Sequence, residues 1–168
     1  MASKNALANW GYTRNKRNII ENQLQQTAPL EDAETTESAL RDLEPTNVAE
    51  LENDEAGRKV AQICRGADEL KALGIAVLDV RHQTIIADFF VICSGTSSTH
   101  IRSIAGHVQD KMREIGLRAK PEGDGDSQWV VIDYGDAILH VLSEETREFY
   151  DLERLWADAK ISLWPEAL

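Results

Sequence analysis

The residues in this chain whose types can do chemistry are four histidines, a small-residue turn and a scatter of aspartates. His100 and His107 are seven positions apart in a helical pattern, about two turns, which is too far to share one metal ion without a third element. No HExxH and no paired-cysteine spacing accompanies them. His82 falls in a loop, and His140 sits mid-strand, as a core histidine or a pH-sensitive contact. Gly95-Thr96-Ser97-Ser98 joins a strand to a helix, where free N–H groups can hold a phosphate. It lacks both GxGxxG and a GK[ST] ending, so a hydroxyl-capped tight turn is the better reading. Asp124, Asp126, Asp133 and Asp136 offer carboxylates for Mg²⁺ and nucleotidyl transfer. The first two lie in a glycine loop and the others flank a hairpin turn, where Asp has conformational reasons of its own. We therefore expect no catalytic residue, no metal and no cofactor, with a Mg²⁺-dependent nucleotidyltransferase as the rival reading.

The elements that position these residues follow from periodicity. Val60, Ile63, Cys64, Ala67 and Leu70 recur at helical spacing. Ile75 to Val80 and Phe89 to Ser94 read as buried strands. Ile101, Ile104, Ala105, Val108 and Met112 form one stripe of a second helix, capped by Thr96 or Ser97 and closed by Gly116. Leu117 to Lys120 reads as a short edge strand ended by Pro121. Trp129 to Asp133 and Ala137 to Leu142 make a hairpin through Tyr134-Gly135-Asp136. Phe149, Leu152, Trp156 and Ala159 share one face of a closing helix. The order is α-β-β-α-β-β-β-α, an α+β domain built as a mixed β-sheet with packed helices.

Alternation puts Trp129, Val131 and Asp133 on one face of the hairpin, and Val130, Ile132 and Tyr134 on the other. If the second set meets the core, a tryptophan and a carboxylate stand outside together, the composition of a protein-binding hot spot. If Trp129 instead packs under the closing helix beside Trp156, it is structural. Period alone leaves the two readings level.

Bulk properties narrow the function classes. The chain has 168 residues and a formal net charge of −11. Such acidity suits a basic protein partner or merely aids solubility, and charge alone does not choose. It disfavours nucleic-acid binding, sequence-specific binding included, because phosphate neutralisation needs clustered Lys and Arg. No apolar run approaches the roughly 20 residues of a membrane span. The first twenty residues have no apolar h-region and are only faintly like a transit peptide. Cys64 and Cys93 sit in apolar stretches, as buried thiols in a reducing compartment do. Residues 1–53, dense in Glu, Asp, Thr and Ala near their end, read as an acidic, mostly mobile extension, and 54–168 as the domain.

Two long segments carry a family resemblance. ADFFVICSGTSSTHIRSIAGHVQDKM resembles the first signature of the Iojap family of ribosomal silencing factors, and EGDGDSQWVVIDYGDAILHVLSEETREFYDLERLW resembles its second half. The resemblance runs from about Val60 to Lys160. It implies a nucleotidyltransferase-like fold without that activity. It also implies binding to large-subunit ribosomal protein fourteen, on the face where the small subunit docks, and lowered translation when nutrients are short. A homodimer is compatible with it. The implied contact surface is Trp129, Val131, Asp133, Tyr134 and Asp136, joined by Arg147 and Tyr150. Trp129 would be the anchor and Asp133 the acceptor for a basic partner residue. The bacterial cytoplasm is the implied compartment, with the chloroplast stroma as the alternative. The acidic extension departs from the compact family pattern.

Overall fold

The structure, a computed structural model, describes residues 43–123, 126 and 128–165. In chain order its elements are α1 (Val48–Leu51), α2 (Glu55–Glu69), β1 (Leu73–Asp79), β2 (Phe89–Gly95) and α3 (Ser98–Glu114). They continue with β3 (Trp129–Asp133), β4 (Ala137–Ser143), α4 (Glu144–Tyr150), α5 (Leu152–Leu155) and β5 (Lys160–Leu163). The five strands form one mixed sheet in the order β3-β4-β2-β1-β5. Only β2 and β4 run parallel. Central β2 is buried along its whole length, which is why its sequence is a continuous apolar run.

Helices α2 and α3 cover one sheet face. Val60, Ile63 and Cys64 of α2 and Ile101, Ile104, Val108 and Met112 of α3 meet Val91, Cys93, Val130, Ile132, Leu139 and Val141 of the sheet. Asp54 caps α2 by accepting from the Gly57 N–H at 2.7 Å. Gly57 has no alternative, because a Cβ there would lie 1.6 Å from the Leu51 carbonyl oxygen. Ser97, rather than Thr96, caps α3, its Oγ accepting from the His100 N–H at 3.1 Å. Gly116, at φ +83°, follows the end of α3 in the left-handed conformation its position requires.

The opposite face carries Phe90, Ile92, Ser94, Ile138, His140 and Leu142, and α4 lies over it, with Trp156 at the end of α5 on Phe90. Phe90 packs edge-on against Trp156 at 5.4 Å and against His140 at 5.5 Å. The sheet is thus enclosed from both sides, in layers of unequal extent.

Four expectations need correction. Leu117–Lys120 is not a strand. The segment after α3 meets the sheet at Glu122, which exchanges two backbone hydrogen bonds with Val131 on the outer edge of β3. Lys160–Leu163 is a strand that the sequence reading missed, antiparallel to β1. The closing helix is broken at Asp151, whose backbone is left-handed (φ 45°), and the residue caps both α4 and α5. Leu152 and Trp156 are buried as expected, but the break turns Phe149 outward. Finally, residues 43–53 belong to the folded unit. Thr46 N–H donates to the Leu163 carbonyl at 2.6 Å, Leu163 N–H donates to the Glu44 carbonyl at 3.0 Å, and α1 follows. Residues 1–42 of the expected acidic extension lie outside the described residues.

Both cysteines are fully buried, Cys64 in α2 and Cys93 in β2. Burial raises both thiols, Cys93 to about 12. Iodoacetamide at pH 8 is therefore expected to modify neither in the native state and both in urea, as read by mass spectrometry. Since the folded pKa lies above the ordinary value, this contribution to stability is intact below about pH 8.5 and is lost as pH rises toward 12. Melting points at pH 8 and 10 check the direction.

Candidate protein-binding surface

The hairpin β3–β4 and helix α4 carry the expected contact residues, but at two separate places. Trp129 and Asp133 open and close β3, roughly 13 Å apart at about 3.3 Å per residue. At the Asp133 end lies the turn, and at the Trp129 end lies α4.

The turn is built from its own carboxylates. Asp133 Oδ1 accepts from the Gly135 N–H at 2.7 Å, an Asx turn that sets up the left-handed Gly135 (φ +91°). Asp136 accepts from Lys59 Nζ of α2 at 2.9 and 3.1 Å. Its carbonyl also receives the Asp88 and Phe89 N–H groups. Tyr134 turns inward together with Val130 and Ile132, whose face it shares. Its ring packs against the α2/α3 core, and burial pushes its hydroxyl up to about 12. Asp133 and Asp136 are half-buried at the surface, and Gly135 between them is exposed. This end presents a carboxylate-edged backbone turn held by Lys59.

At the other end the structure places Trp129 under the closing segment, the second of the two readings its period allowed. Val130 and Ile132 do meet the α2/α3 core, but the opposite face is not open, because α4 covers it. Trp129 is only 3% exposed. Its Nε1 donates to His140 Nδ1 at 3.1 Å, and its ring lies 5.0 Å from that of Tyr150. The partner ring is Tyr150, not Trp156, which sits on Phe90 instead. Val131, at the same level as His140, is also buried. Arg147 is 4% exposed and holds α4 to the fold. Its Nε and Nη2 donate to Glu153 Oε1 at 2.8 and 2.6 Å, and its Nη1 reaches Ser94 Oγ and the Leu73 carbonyl at 3.3 Å. Tyr150 is half-exposed. Trp129, Val131 and Arg147 therefore lie beneath the surface, with Trp129 against Tyr150 and Arg147 tying α4 to the fold.

Phe149 was missed as a surface residue. It is 81% exposed, with its ring edge-on to Tyr150 at 5.1 Å. Its spacing to Leu152 and Trp156 suits one continuous helix, and that helix does not exist. The available signal was Asp151 followed by Leu-Glu-Arg-Leu, an N-cap residue opening a new helix.

The residues that invited other chemistry are used locally. His100 accepts the Thr96 N–H at Nδ1 (3.0 Å), and its Nε2 lies 2.7 Å from the Leu70 carbonyl, tying α3 to the end of α2. His107 pairs with Glu69 at 2.6 Å. The Gly95–Ser98 turn spends the Thr96 N–H on His100 Nδ1 and uses Ser97 Oγ to accept the His100 N–H, in keeping with a structural turn. A Cβ at Gly95 would lie 2.8 Å from Ile101 Cγ1, so the turn is tight. Asp126 is exposed, and Asp124 lies outside the described residues.

Comparison with known proteins places these features in a family. A family model described as ribosomal silencing factor during starvation matches residues 53–167, from the cap of α2 through β5. The ribosomal silencing factor of Bacillus subtilis is 36% identical over 96 residues, covering 56% of this chain and 81% of that protein. The chloroplastic Iojap protein of Zea mays is 33% identical over 101 residues, covering 58% of this chain and 42% of that one. The crystal structure of a Chromobacterium violaceum protein superposes with a TM-score of 0.60 at 28% identity, over 62% of this chain and 88% of that one. The family is one of ribosome regulators, not of enzymes. This chain belongs to the family of ribosomal silencing factors.

Proposed function

We propose that this protein binds the large ribosomal subunit through large-subunit ribosomal protein fourteen. By occupying that place it blocks association with the small subunit and represses translation under nutrient limitation. The observation that carries this reading is that the family match spans the whole β3–β4–α4 unit, so the motif is complete where the surface is built. The contact surface is the carboxylate-edged turn Asp133–Asp136 and the α4 face at Tyr150. Trp129, Val131 and Arg147 support it from below. The acidity of the chain, −11 overall, complements a basic ribosomal partner.

No catalysis is required of such a protein. An interface of ordinary size, about 800 Å² per partner, is enough to exclude a competing subunit. The domain is nucleotidyltransferase-like in architecture, adapted to binding. The carboxylates that would hold Mg²⁺ instead serve the turn and Lys59. Self-association is compatible with this reading but not required by it. The bacterial relatives favour the bacterial cytoplasm, and the maize relative keeps the chloroplast stroma as the alternative. No helix among the described residues is long and apolar enough to cross a membrane.

Sedimentation with purified large subunits tests the binding step. The protein is expected to pellet with them at about 0.1 M salt and to be released only gradually as salt rises, because its contacts are to protein more than to phosphate. Remaining in the supernatant at low salt overturns the reading.

A further inference from the structure

The geometry points to Phe149 as the anchor of the docking surface, inserting into an apolar pocket with a basic rim on the protein partner. This inference rests on the large-subunit reading and adds to it a residue that the family resemblance did not supply.

Phe149 is a large aromatic side chain that the fold leaves 81% exposed. A single exposed apolar residue is ordinary on a protein surface. Three observations set this one apart. The first is rigidity. The Phe149 ring stands edge-on to Tyr150 at 5.1 Å, Tyr150 lies against Trp129 at 5.0 Å, and Trp129 is hydrogen-bonded to buried His140. This ladder of rings runs from the sheet to solvent, so Phe149 is held on a packed base. A held aromatic loses little conformational freedom on binding, which favours affinity.

The second is the fixing of its helix. Seven-residue α4 would be marginal alone. Here Ser143 caps it, Asp151 turns the chain at its end, and Arg147 ties its inner face to Glu153, Ser94 and the Leu73 carbonyl. Arg147 and Phe149 are two residues apart in the helix, so tying one inward directs the other outward.

The third is charge. Glu144, Glu145 and Glu148 are all exposed on the same short helix. Glu145 and Phe149 are four apart, one above the other on a single face. An apolar centre beside acids matches a pocket edged by Lys or Arg, and an apolar core with a polar rim is the anatomy of a hot spot. The patch is also continuous with Tyr150, already part of the proposed surface.

The test titrates purified large subunits with the full chain as wild type, Phe149→Ala, Phe149→Leu and, as an exposed apolar control on α3's side of the sheet, Ile115→Ala. Melting curves and sedimentation velocity are recorded for each. Phe149→Ala is expected to weaken binding at least about tenfold, with an unchanged melting point, and Phe149→Leu to lie between. Ile115→Ala is expected to bind as wild type. Equal affinities for wild type and Phe149→Ala overturn the inference while leaving the large-subunit reading intact. A fall in melting point as large as the loss in binding also overturns it, by showing that Phe149 packs in the fold. So does a change confined to self-association, which would assign the patch to a second copy of this chain. If wild type itself does not bind, the large-subunit reading fails, and the inference fails with it.

Discussion

Arg147→Met is expected to destabilise the protein by about 3–5 kcal/mol, and Arg147→Met combined with Glu153→Leu to recover most of that loss. Arg147 and Glu153 are both buried, and their ion pair is made at 2.6–2.8 Å through a single carboxylate oxygen. The other oxygen, Glu153 Oε2, is buried with no hydrogen-bond partner among the described residues. Removing the guanidinium leaves a buried carboxylate without its counter-charge, and strips Ser94 and the Leu73 carbonyl of a donor. Removing both charges leaves an apolar contact of similar volume beneath α4. Urea unfolding of the two single variants and the double variant measures the coupling, which should be well above 1 kcal/mol. Additive losses would show that the pair is not the tie that the geometry makes it. Because α4 carries Tyr150 and Phe149, the single variants should also lose large-subunit binding, and the double variant should regain it.

Trp129→Ala is expected to cost about 3–5 kcal/mol of folding stability, as truncation of a buried tryptophan does. The loss has three sources: the cavity left between β3 and α4, the missing donor to His140 Nδ1, and the missing support for the Tyr150 ring. Trp129→Phe keeps most of the packing and gives up the hydrogen bond, so about 1–2 kcal/mol is expected. A contact residue on an open surface would show the reverse, a small stability change and a large loss of binding. Chemical denaturation of both variants, set beside their affinity for large subunits, separates these outcomes. A stability change under 0.5 kcal/mol for Trp129→Ala would mean that α4 does not cover it.

The difference between Trp129 and Phe149 shows what the sequence could and could not convey. Strand alternation put Trp129 opposite Val130 and Ile132 correctly, and the α2/α3 stripes placed the main core residue by residue. Alternation reports which face a side chain takes, not whether a second layer covers that face. The cover depends on where the closing helix stops. Asp151 ends it through a left-handed backbone that Asp tolerates better than most residues. A helical period read straight through that position therefore assigned Phe149 inward. The same limit explains β5. Its four residues alternate only once or twice, too few for a period-two signal, and their half-burial depends on pairing with β1. Leu117–Lys120 failed for the opposite reason, an apolar-polar alternation with no sheet edge in reach until Glu122. Capping, by contrast, is local chemistry, and Asp54, Ser97 and Gly116 all stand where their residue types suggest.

The turn end of the surface was legible for a related reason. Asp133 and Gly135 form an Asx turn from residues two apart, which needs no tertiary information. The Lys59–Asp136 pair spans 77 positions and could only be found in the fold.

The central claim is that the protein keeps the two ribosomal subunits apart by occupying the large one. The most direct measurement incubates purified large subunits with the protein, adds small subunits at a Mg²⁺ concentration that favours joining, and resolves the products on a sucrose gradient. The account predicts that the joined-ribosome peak falls as protein is added, with the protein found in the large-subunit peak. It also predicts that Phe149→Ala restores joining at concentrations where wild type prevents it. Undiminished joining with the protein bound to the large subunit would contradict occlusion and leave only binding.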